Sequence, residues 1–315
     1  MNISGLATDS CMGFDRIIIG SIYSIFGFVH SALTLIAIVV FLQLSKTYSS
    51  YVVFVGIGLA DLLTLLNGLW FSGICTLARS AIGSLWSNRI LGFVLVPGFY
   101  HHILIAATRF TAILFPLQYK QLLTRKTCAW LSFGCFALAA VHTSIINCFD
   151  FFELRYMWQL CGYIYVKAHH PRFNIVPLHW VFLQSTVAGT TVLIYVLAAV
   201  LSRKRQPQNA NNNRSRAYSA ELKLTIACAI NSLCLILILL FVNLLPLLSL
   251  GFSGNSVVFN NLFFMANSAI NPYLYWFLSE TFRNQLKGWW TKGKVNPAAV
   301  LVTSGVRTLN NIDNN

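Results

Sequence analysis

Charged residues are scarce in this chain of 315 residues, since Asp, Glu, Lys and Arg together make up only 10% of it. Soluble globular domains carry about 25%. Hydrophobic residues make up 57%, so there are too few charges to cover a surface that faces water. This composition excludes an ordinary soluble protein and predicts one domain whose outer surface faces lipid.

The short motifs of common hydrolases and metal sites are also missing. The chain contains no His-Glu-x-x-His and no Gly-x-Ser-x-Gly sequence. Its histidines include two adjacent pairs, His101-His102 and His169-His170, rather than residues spaced four apart on one helix face. We therefore predict neither an enzyme nor a metal-binding protein.

Acidic residues are rarer than basic ones, 8 against 22, which gives a net charge of +14. The basic residues lie between apolar stretches and not along one face, as a nucleic-acid partner would require. The positive-inside bias of membrane proteins explains this distribution, because it collects Lys and Arg in cytoplasmic loops. We predict membrane lipids as partners, and no nucleic acid.

Seven stretches are apolar over the length of about 20 residues that a helix needs to cross a bilayer. They lie at about 17–43, 50–72, 88–113, 127–149, 175–201, 222–250 and 256–278. An N-terminus outside the cell leaves sixteen Lys and Arg on the inner side and six on the outer side, which predicts that orientation. The first sixteen residues show no cleavable-signal pattern, so the first span is expected to act as a signal anchor.

The predicted fold is an all-α membrane protein, a seven-transmembrane helix bundle with a short amphipathic C-terminal helix. Residues 1–16 form an extracellular N-terminus, 17–290 the seven-helix domain with its membrane-surface helix, and 291–315 a disordered cytoplasmic tail. Phe282 and Leu286 lie one turn apart, with basic residues on the other side, which indicates the surface helix.

Two polar features inside the predicted spans indicate function. Residues 267–275 read Asn-Ser-Ala-Ile-Asn-Pro-Tyr-Leu-Tyr, so Asn267, Ser268 and Asn271 share one helix face beside a proline that breaks a backbone hydrogen bond. Asp61 is the only acidic residue in a predicted span, and an intramembrane carboxylate marks a functional site because its burial is costly. A transporter or channel would need charged groups in several spans, and a membrane scaffold that does not signal needs none; both stay open as alternatives.

The pattern Asn-Ser-x-x-Asn-Pro-x-x-Tyr resembles the signature of rhodopsin-like G-protein-coupled receptors. Residues 108–119 run from Thr-Arg-Phe to Pro-Leu-Gln-Tyr, which resembles the Asp-Arg-Tyr motif of that superfamily and the stretch after it. Together with the Glu-Thr-Phe-Arg of the tail, they are similar to nematode serpentine chemoreceptors, class X among them. The resemblance implies a chemosensory receptor in the plasma membrane, with a heterotrimeric G protein and a small-molecule ligand as partners.

The resemblance also implies roles for single residues. Arg109 changes partners on activation, and both Arg109 and Leu117 contact the G protein. Asp61 faces the polar residues of the seventh span and binds a sodium ion or a proton, although Gly98 stands where the family often adds a serine ligand. The implied activation switch comprises Asp61, Arg109, Tyr195, Pro246, Asn267, Ser268, Asn271, Pro272 and Tyr275.

The outer half of the bundle is where such receptors bind ligands, and its expected lining is mostly apolar. An amine ligand would need an acid near Leu91, and retinal would need a lysine near Met265. A small neutral or weakly polar molecule is therefore expected. The positions that we expect to bind it are Leu91, Leu95, Leu244, Leu248, Asn261 and Met265.

The disulfide of the superfamily, from the third span to the second outer loop, is missing here because Ser84 occupies the expected position in the third span. The resemblance leaves two substitutes open, Cys75 with Cys161 or Cys148 with Cys161. Asn2 begins an Asn-Ile-Ser sequon on the outer side and is a predicted glycosylation site.

Thr108 stands where the superfamily has an acid that restrains the arginine, so we hypothesise raised signalling without ligand. Changing Thr108 to aspartate should then lower basal signalling in cells that express the receptor. The same basal activity in the parent chain and in Thr108→Asp, at matched surface expression, would contradict the hypothesis.

Overall fold

The computed structural model describes residues 16–78, 84–148, 153–157, 162–166, 175–204, 225–234, 236–237 and 254–290. Its helices are α1 (Arg16–Leu44), α2 (Tyr51–Leu65), a π-helical turn (Leu66–Phe71), α3 (Ser72–Ala78), α4 (Ser84–Leu114), α5 (Pro116–Leu122), α6 (Arg125–Cys148), α7 (Ile175–Lys204), α8 (Thr225–Cys234), α9 (Gly254–Leu278) and α10 (Glu280–Trp290).

Within the described part of the chain, five helical stretches are long and apolar enough to cross a membrane: Arg16–Leu44, Tyr51–Ala78, Phe93–Leu114, Arg125–Ile145 and Phe182–Leu201. α8 is a shorter apolar helix, and it is the part of the predicted sixth span that the structure describes. α9 has 25 residues and contains five asparagines, and it is not among these five stretches. Six of the predicted spans thus coincide with helices, the described part of the sixth span is also helical, and the predicted fold class is confirmed.

The second span differs most from its prediction, because its helix continues to Ala78 instead of ending near residue 72. It reaches that length through the π-helical turn Leu66–Phe71, which joins α2 to α3. Such a turn contains one residue more than an α-helical turn and redirects the helix after it. Nothing in the local sequence indicated the turn.

α1 packs along the second span through glycines. A Cβ atom at Gly27 would lie 2.5 Å from the backbone nitrogen of Trp70, and one at Gly73 would lie 2.6 Å from the backbone nitrogen of Ser24. Only a residue without a side chain permits backbones to approach this closely, which is how helices associate where lipid replaces water. In contrast, a Cβ atom at Gly134 of α6 would meet nothing within 4 Å.

The connection between α6 and α7 contains a β-hairpin that the sequence analysis did not predict. β1 (Glu153–Met157) pairs antiparallel with β2 (Gly162–Val166), so that Arg155 lies opposite Ile164. β1 lies against α4 and β2 against α9. The hairpin therefore covers one end of the bundle, which we call the hairpin end; the opposite end, where α4 finishes, is the Arg109 end.

Buried apolar side chains form a cluster at each end of the bundle. The cluster at the Arg109 end joins α1, α2, α4, α6, α7, α8, α9 and α10 and includes Phe41, Phe54 and Tyr275. The cluster toward the hairpin end joins α1, the second span, α4 and α9 and includes Tyr23, Leu69 and Met265. The polar residues of α2 and α9 lie between these two layers along the chain.

Candidate functional site

Asp61 of α2 and Asn271 of α9 meet inside the bundle, 210 positions apart in the sequence. The Asn271 side-chain amide donates a hydrogen bond of 2.6 Å to a carboxyl oxygen of Asp61, and both residues are only 4% exposed. Ser268, one turn before Asn271, is also hydrogen-bonded to Asp61. The structure thus brings together three of the residues that the sequence assigned to the switch.

Two side-chain oxygens on the same face of α9 have no hydrogen-bond donor among the residues that the structure describes. They are the Oδ1 atoms of Asn267 and Asn271, and both are buried. Pro272 is buried next to them, and as it has no N–H group it leaves the carbonyl of Ser268 without its helical donor. Acceptor oxygens without a described donor therefore lie on the face of α9 that contains the Asn271 bond to Asp61.

Arg109 lies at the C-terminal part of α4 and is fully buried. Its guanidinium carbon is 5.2 Å from the centre of the Phe54 ring, within the range of a cation–π interaction. Tyr195 of α7 and Tyr275 of α9 are both close enough to interact electrostatically with Arg109. The neighbouring Thr108 hydroxyl donates to the Ile105 carbonyl at 2.8 Å, within its own helix.

Phe54 belongs to a cluster of five rings, which we call the inner aromatic cluster: Phe41, Tyr51, Phe54, Tyr275 and Phe282. Tyr275 packs edge-on against Phe41, with centroids 5.0 Å apart, and against Phe54 at 5.1 Å. Sequence reasoning missed this cluster, because its members come from α1, α2, α9 and α10. The only local signal was the Tyr-x-x-Phe spacing of Tyr51 and Phe54.

The amphipathic helix α10 is fixed to two other helices. The side-chain oxygen of Gln43 in α1 accepts hydrogen bonds from Gln285 at 2.6 Å and from the Trp289 indole at 2.7 Å. The Arg283 guanidinium donates to the carbonyls of Trp276 and Phe277, at 3.1 and 2.5 Å, and so bonds the last turn of α9. The surface helix predicted from sequence is thus attached where α9 ends.

His101 serves packing between helices. The Pro97 carbonyl accepts from its Nδ1–H at 2.7 Å, so the neutral ring accepts at Nε2 from the Ser132 hydroxyl of α6, 2.9 Å away. A Cβ atom at Gly56 of α2 would collide with both His101 and Ser132. The histidine therefore fills the junction of three spans.

Residues 21–289 match the family model described as serpentine type 7TM GPCR chemoreceptor Srv. The chain belongs to the Srv family. No curated protein matches the chain. The prediction of a serpentine chemoreceptor is confirmed, although the family is Srv and not the class X that the tail suggested. The Srv receptor is a multi-pass membrane protein, a chemosensory G-protein-coupled receptor.

The residues predicted to bind ligand lie partly in the cluster near the hairpin end of the Srv receptor. Leu95 and Met265 are buried there, and Met265 packs over Gly68 of the π-helical turn. The Tyr23 hydroxyl donates to the Val258 carbonyl at 3.4 Å, and the Asn261 side chain lies close enough to interact with the same hydroxyl. Tyr23 was not among the residues that the sequence predicted to bind ligand.

Other predicted positions are described only in part or not at all. Leu91 lies in α4 and Leu117 in α5, where the backbone alone is described. Outside the described residues lie Leu244, Pro246, Leu248, Cys161 and Asn2.

The predicted disulfide between Cys75 and Cys161 is not formed in the structure of the Srv receptor. Cys75 is a free thiol and is only 6% exposed, because it belongs to α3, where the second span packs against α1. The alternative bridge, from Cys148 to Cys161, stays a prediction.

The hydrogen bond between Asp61 and Asn271 can be tested by exchanging its partners. Asn271→Asp places two carboxyl groups side by side and removes the donor, which should lower the stability of the folded receptor by about 1–3 kcal/mol. Adding Asp61→Asn restores one amide and one carboxyl group, so the double variant should regain most of the midpoint temperature of unfolding in detergent. A double variant no more stable than Asn271→Asp alone would contradict the pairing.

Proposed function

We propose that the Srv receptor responds to a small neutral or weakly polar molecule by promoting nucleotide exchange on a heterotrimeric G protein. The observation that carries this proposal is the fully buried Arg109, which lies beside Tyr195 and Tyr275 at the end of the bundle. We further propose that the receptor lies in the plasma membrane with its N-terminus outside, so that the Arg109 end faces the cytoplasm. The excess of Lys and Arg in the loops at that end supports this orientation.

Communication between the two ends would depend on α9. Near the hairpin end α9 contributes Asn261 and Met265, in its middle it bonds Asp61, and at the Arg109 end it contributes Tyr275. A ligand changes the balance between two arrangements of the bundle only as far as it binds one of them more tightly. A ligand that contacts α9 near Met265 therefore biases the position of Tyr275 next to Arg109.

The chemistry of the described residues near the hairpin end supports a ligand with little charge. Leu95 and Met265 offer apolar contacts, while Asn261 and Tyr23 offer an amide and a hydroxyl group. Such a lining, mostly apolar with a few polar groups, is typical of small-molecule sites. Arg109 and Leu117 would contact the G protein at the opposite end.

A sodium ion or a proton at Asp61 would belong to the resting receptor. The oxygen atoms available to coordinate a cation fit this role. The Asp61 carboxyl group faces α9, and on the same face of α9 the Oδ1 atoms of Asn267 and Asn271 have no described hydrogen-bond donor. Carboxylate and amide oxygens suit hard cations. A bound cation or proton would neutralise the carboxylate inside the membrane, and a change in the Asn271 bond would release it.

The exchange activity should depend on Arg109. In a reconstituted assay with a panel of heterotrimeric G proteins, we expect the receptor to accelerate binding of a GTP analogue without ligand, and Arg109→Leu to reduce this rate at least about tenfold, because that change removes the charge from the coupling site. Arg125→Leu is the matched control, since Arg125 is exposed at the start of α6. Solute flux through receptor vesicles without any exchange would support a transporter instead.

Sodium binding can be measured apart from signalling. Replacing potassium by sodium should raise the midpoint temperature of unfolding of the purified receptor, because a ligand that binds only the folded state stabilises it. Asp61→Asn should remove this difference, and Asn284→Asp, on the exposed face of α10, should not. A sodium effect that persists in Asp61→Asn would exclude sodium binding at Asp61. If the parent receptor shows no sodium effect, a proton on Asp61 is the remaining alternative.

A further inference from the structure

The guanidinium group of Arg109 is completely buried, so it needs compensating interactions in the resting receptor. The resemblance to rhodopsin-like receptors implies an acid before this arginine, but the residue here is Thr108, whose hydroxyl donates to the Ile105 carbonyl. The face of the Phe54 ring, 5.2 Å from the guanidinium carbon, carries the negative part of the ring quadrupole. Phe54 thus offers Arg109 an attraction that does not require a carboxylate.

Phe54 is held firmly in place. It is fully buried in α2, and its ring contacts Phe41 at 5.5 Å, Tyr51 at 5.6 Å and Tyr275 at 5.1 Å between centroids. A ring packed against three others keeps one orientation, because protein interiors leave little room for another rotamer. Arg109 therefore meets a preorganised ring face.

The same ring touches the moving part of the proposed switch. Tyr275 ends the Asn-Pro-x-x-Tyr segment of α9 and packs edge-on against Phe54, with 82° between the ring planes. Tyr275 contacts Phe41 in the same way, and Phe41 in turn contacts Phe282 of α10. A displacement of the end of α9 must therefore disturb the ring on which Arg109 rests.

We propose that Phe54 is a positioning residue that holds Arg109 in the resting receptor, where the residue before the arginine is Thr108 and not an acid, and that displacement of Tyr275 weakens this hold. The inference deepens the proposed function and rests on it. A buried cation–π interaction is strong enough to shift an equilibrium between two receptor states by about tenfold.

The decisive experiment varies the electrostatics of the ring at nearly constant shape. Phenylalanines with one, two and three ring fluorines are incorporated at position 54, and basal nucleotide exchange is measured with the G protein that the parent receptor activates. Each fluorine withdraws charge from the ring face, so the logarithm of the basal rate should rise steadily with fluorine number, to about tenfold in all. The same series at Phe99 is the matched control, because Phe99 is a buried phenylalanine of α4 that lies in a different apolar cluster, so it should give no such trend.

A second comparison separates Phe54 from a carboxylate as the restraint. Phe54→Leu should raise basal exchange, whereas Phe54→Tyr, which keeps a ring face, should stay near the parent rate. Glu221→Gln removes the acid that precedes α8 in the sequence. If Glu221→Gln raises the basal rate and Phe54→Leu does not, the proposal is overturned.

A stability measurement tests the contact between Phe54 and Arg109 without any G protein. The free energies of unfolding of Phe54→Leu, Arg109→Gln and the double variant should be non-additive, because the two residues share one interaction. Phe41→Leu combined with Arg109→Gln should be much closer to additive. Additive effects for both pairs would overturn the inference even if exchange is normal. Failure of every variant, the parent included, to promote exchange would instead overturn the proposed function and this regulation with it.

Discussion

A carboxyl group inside a membrane needs hydrogen-bond partners, and in the Srv receptor this requirement joins the second span to α9. Asp61 lies in the middle of the second span, and its hydrogen bond from Asn271 joins that span to α9 across 210 positions of sequence. Lipid offers no donors, so an alternative packing without Asn271 would leave the carboxyl group with fewer bonds. Farther along the second span, the close approach of α1 at Gly27 and Gly73 adds a third helix to this pair, since α1 also contacts α9.

The polar pair also separates two apolar layers with different tasks. Near the hairpin end, Tyr23, Leu95 and Met265 form a compact cluster with the π-helical turn. At the Arg109 end, the inner aromatic cluster surrounds Tyr275 and supports Arg109. Because α9 contributes residues to both layers, it is the described helix through which a change in packing at one end would reach Tyr275 at the other. The pairwise contacts of α9 provide a physical route for coupling.

The sequence was sufficient to predict features that depend on local periodicity or on the free-energy cost of burying a charged group. Apolar length predicted the spans, the spacing of Phe282 and Leu286 predicted α10, and the cost of burying Asp61 marked it as special. Features that depend on residues far apart in sequence were missed, such as the ring of Phe54 beneath Arg109 and the two bonds from Gln43 to α10. The π-helical turn and the β-hairpin were missed for another reason, as neither has a strong residue signature in one sequence.

The inner aromatic cluster changes the meaning of the missing acid before Arg109. Considered alone, Thr108 indicates an arginine with little restraint and a receptor with high basal activity. However, a buried ion pair gains little net free energy, because removing both charges from water offsets most of their attraction. A cation–π contact with a desolvated ring is worth about 2 kcal/mol and does not require a second charge to be buried. Phe54, held by Tyr275 and its neighbours, would therefore supply part of the restraint that an adjacent acid would give Arg109. In the proposed switch this restraint would also be sensitive to α9, because Tyr275, which packs against the ring, belongs to that helix.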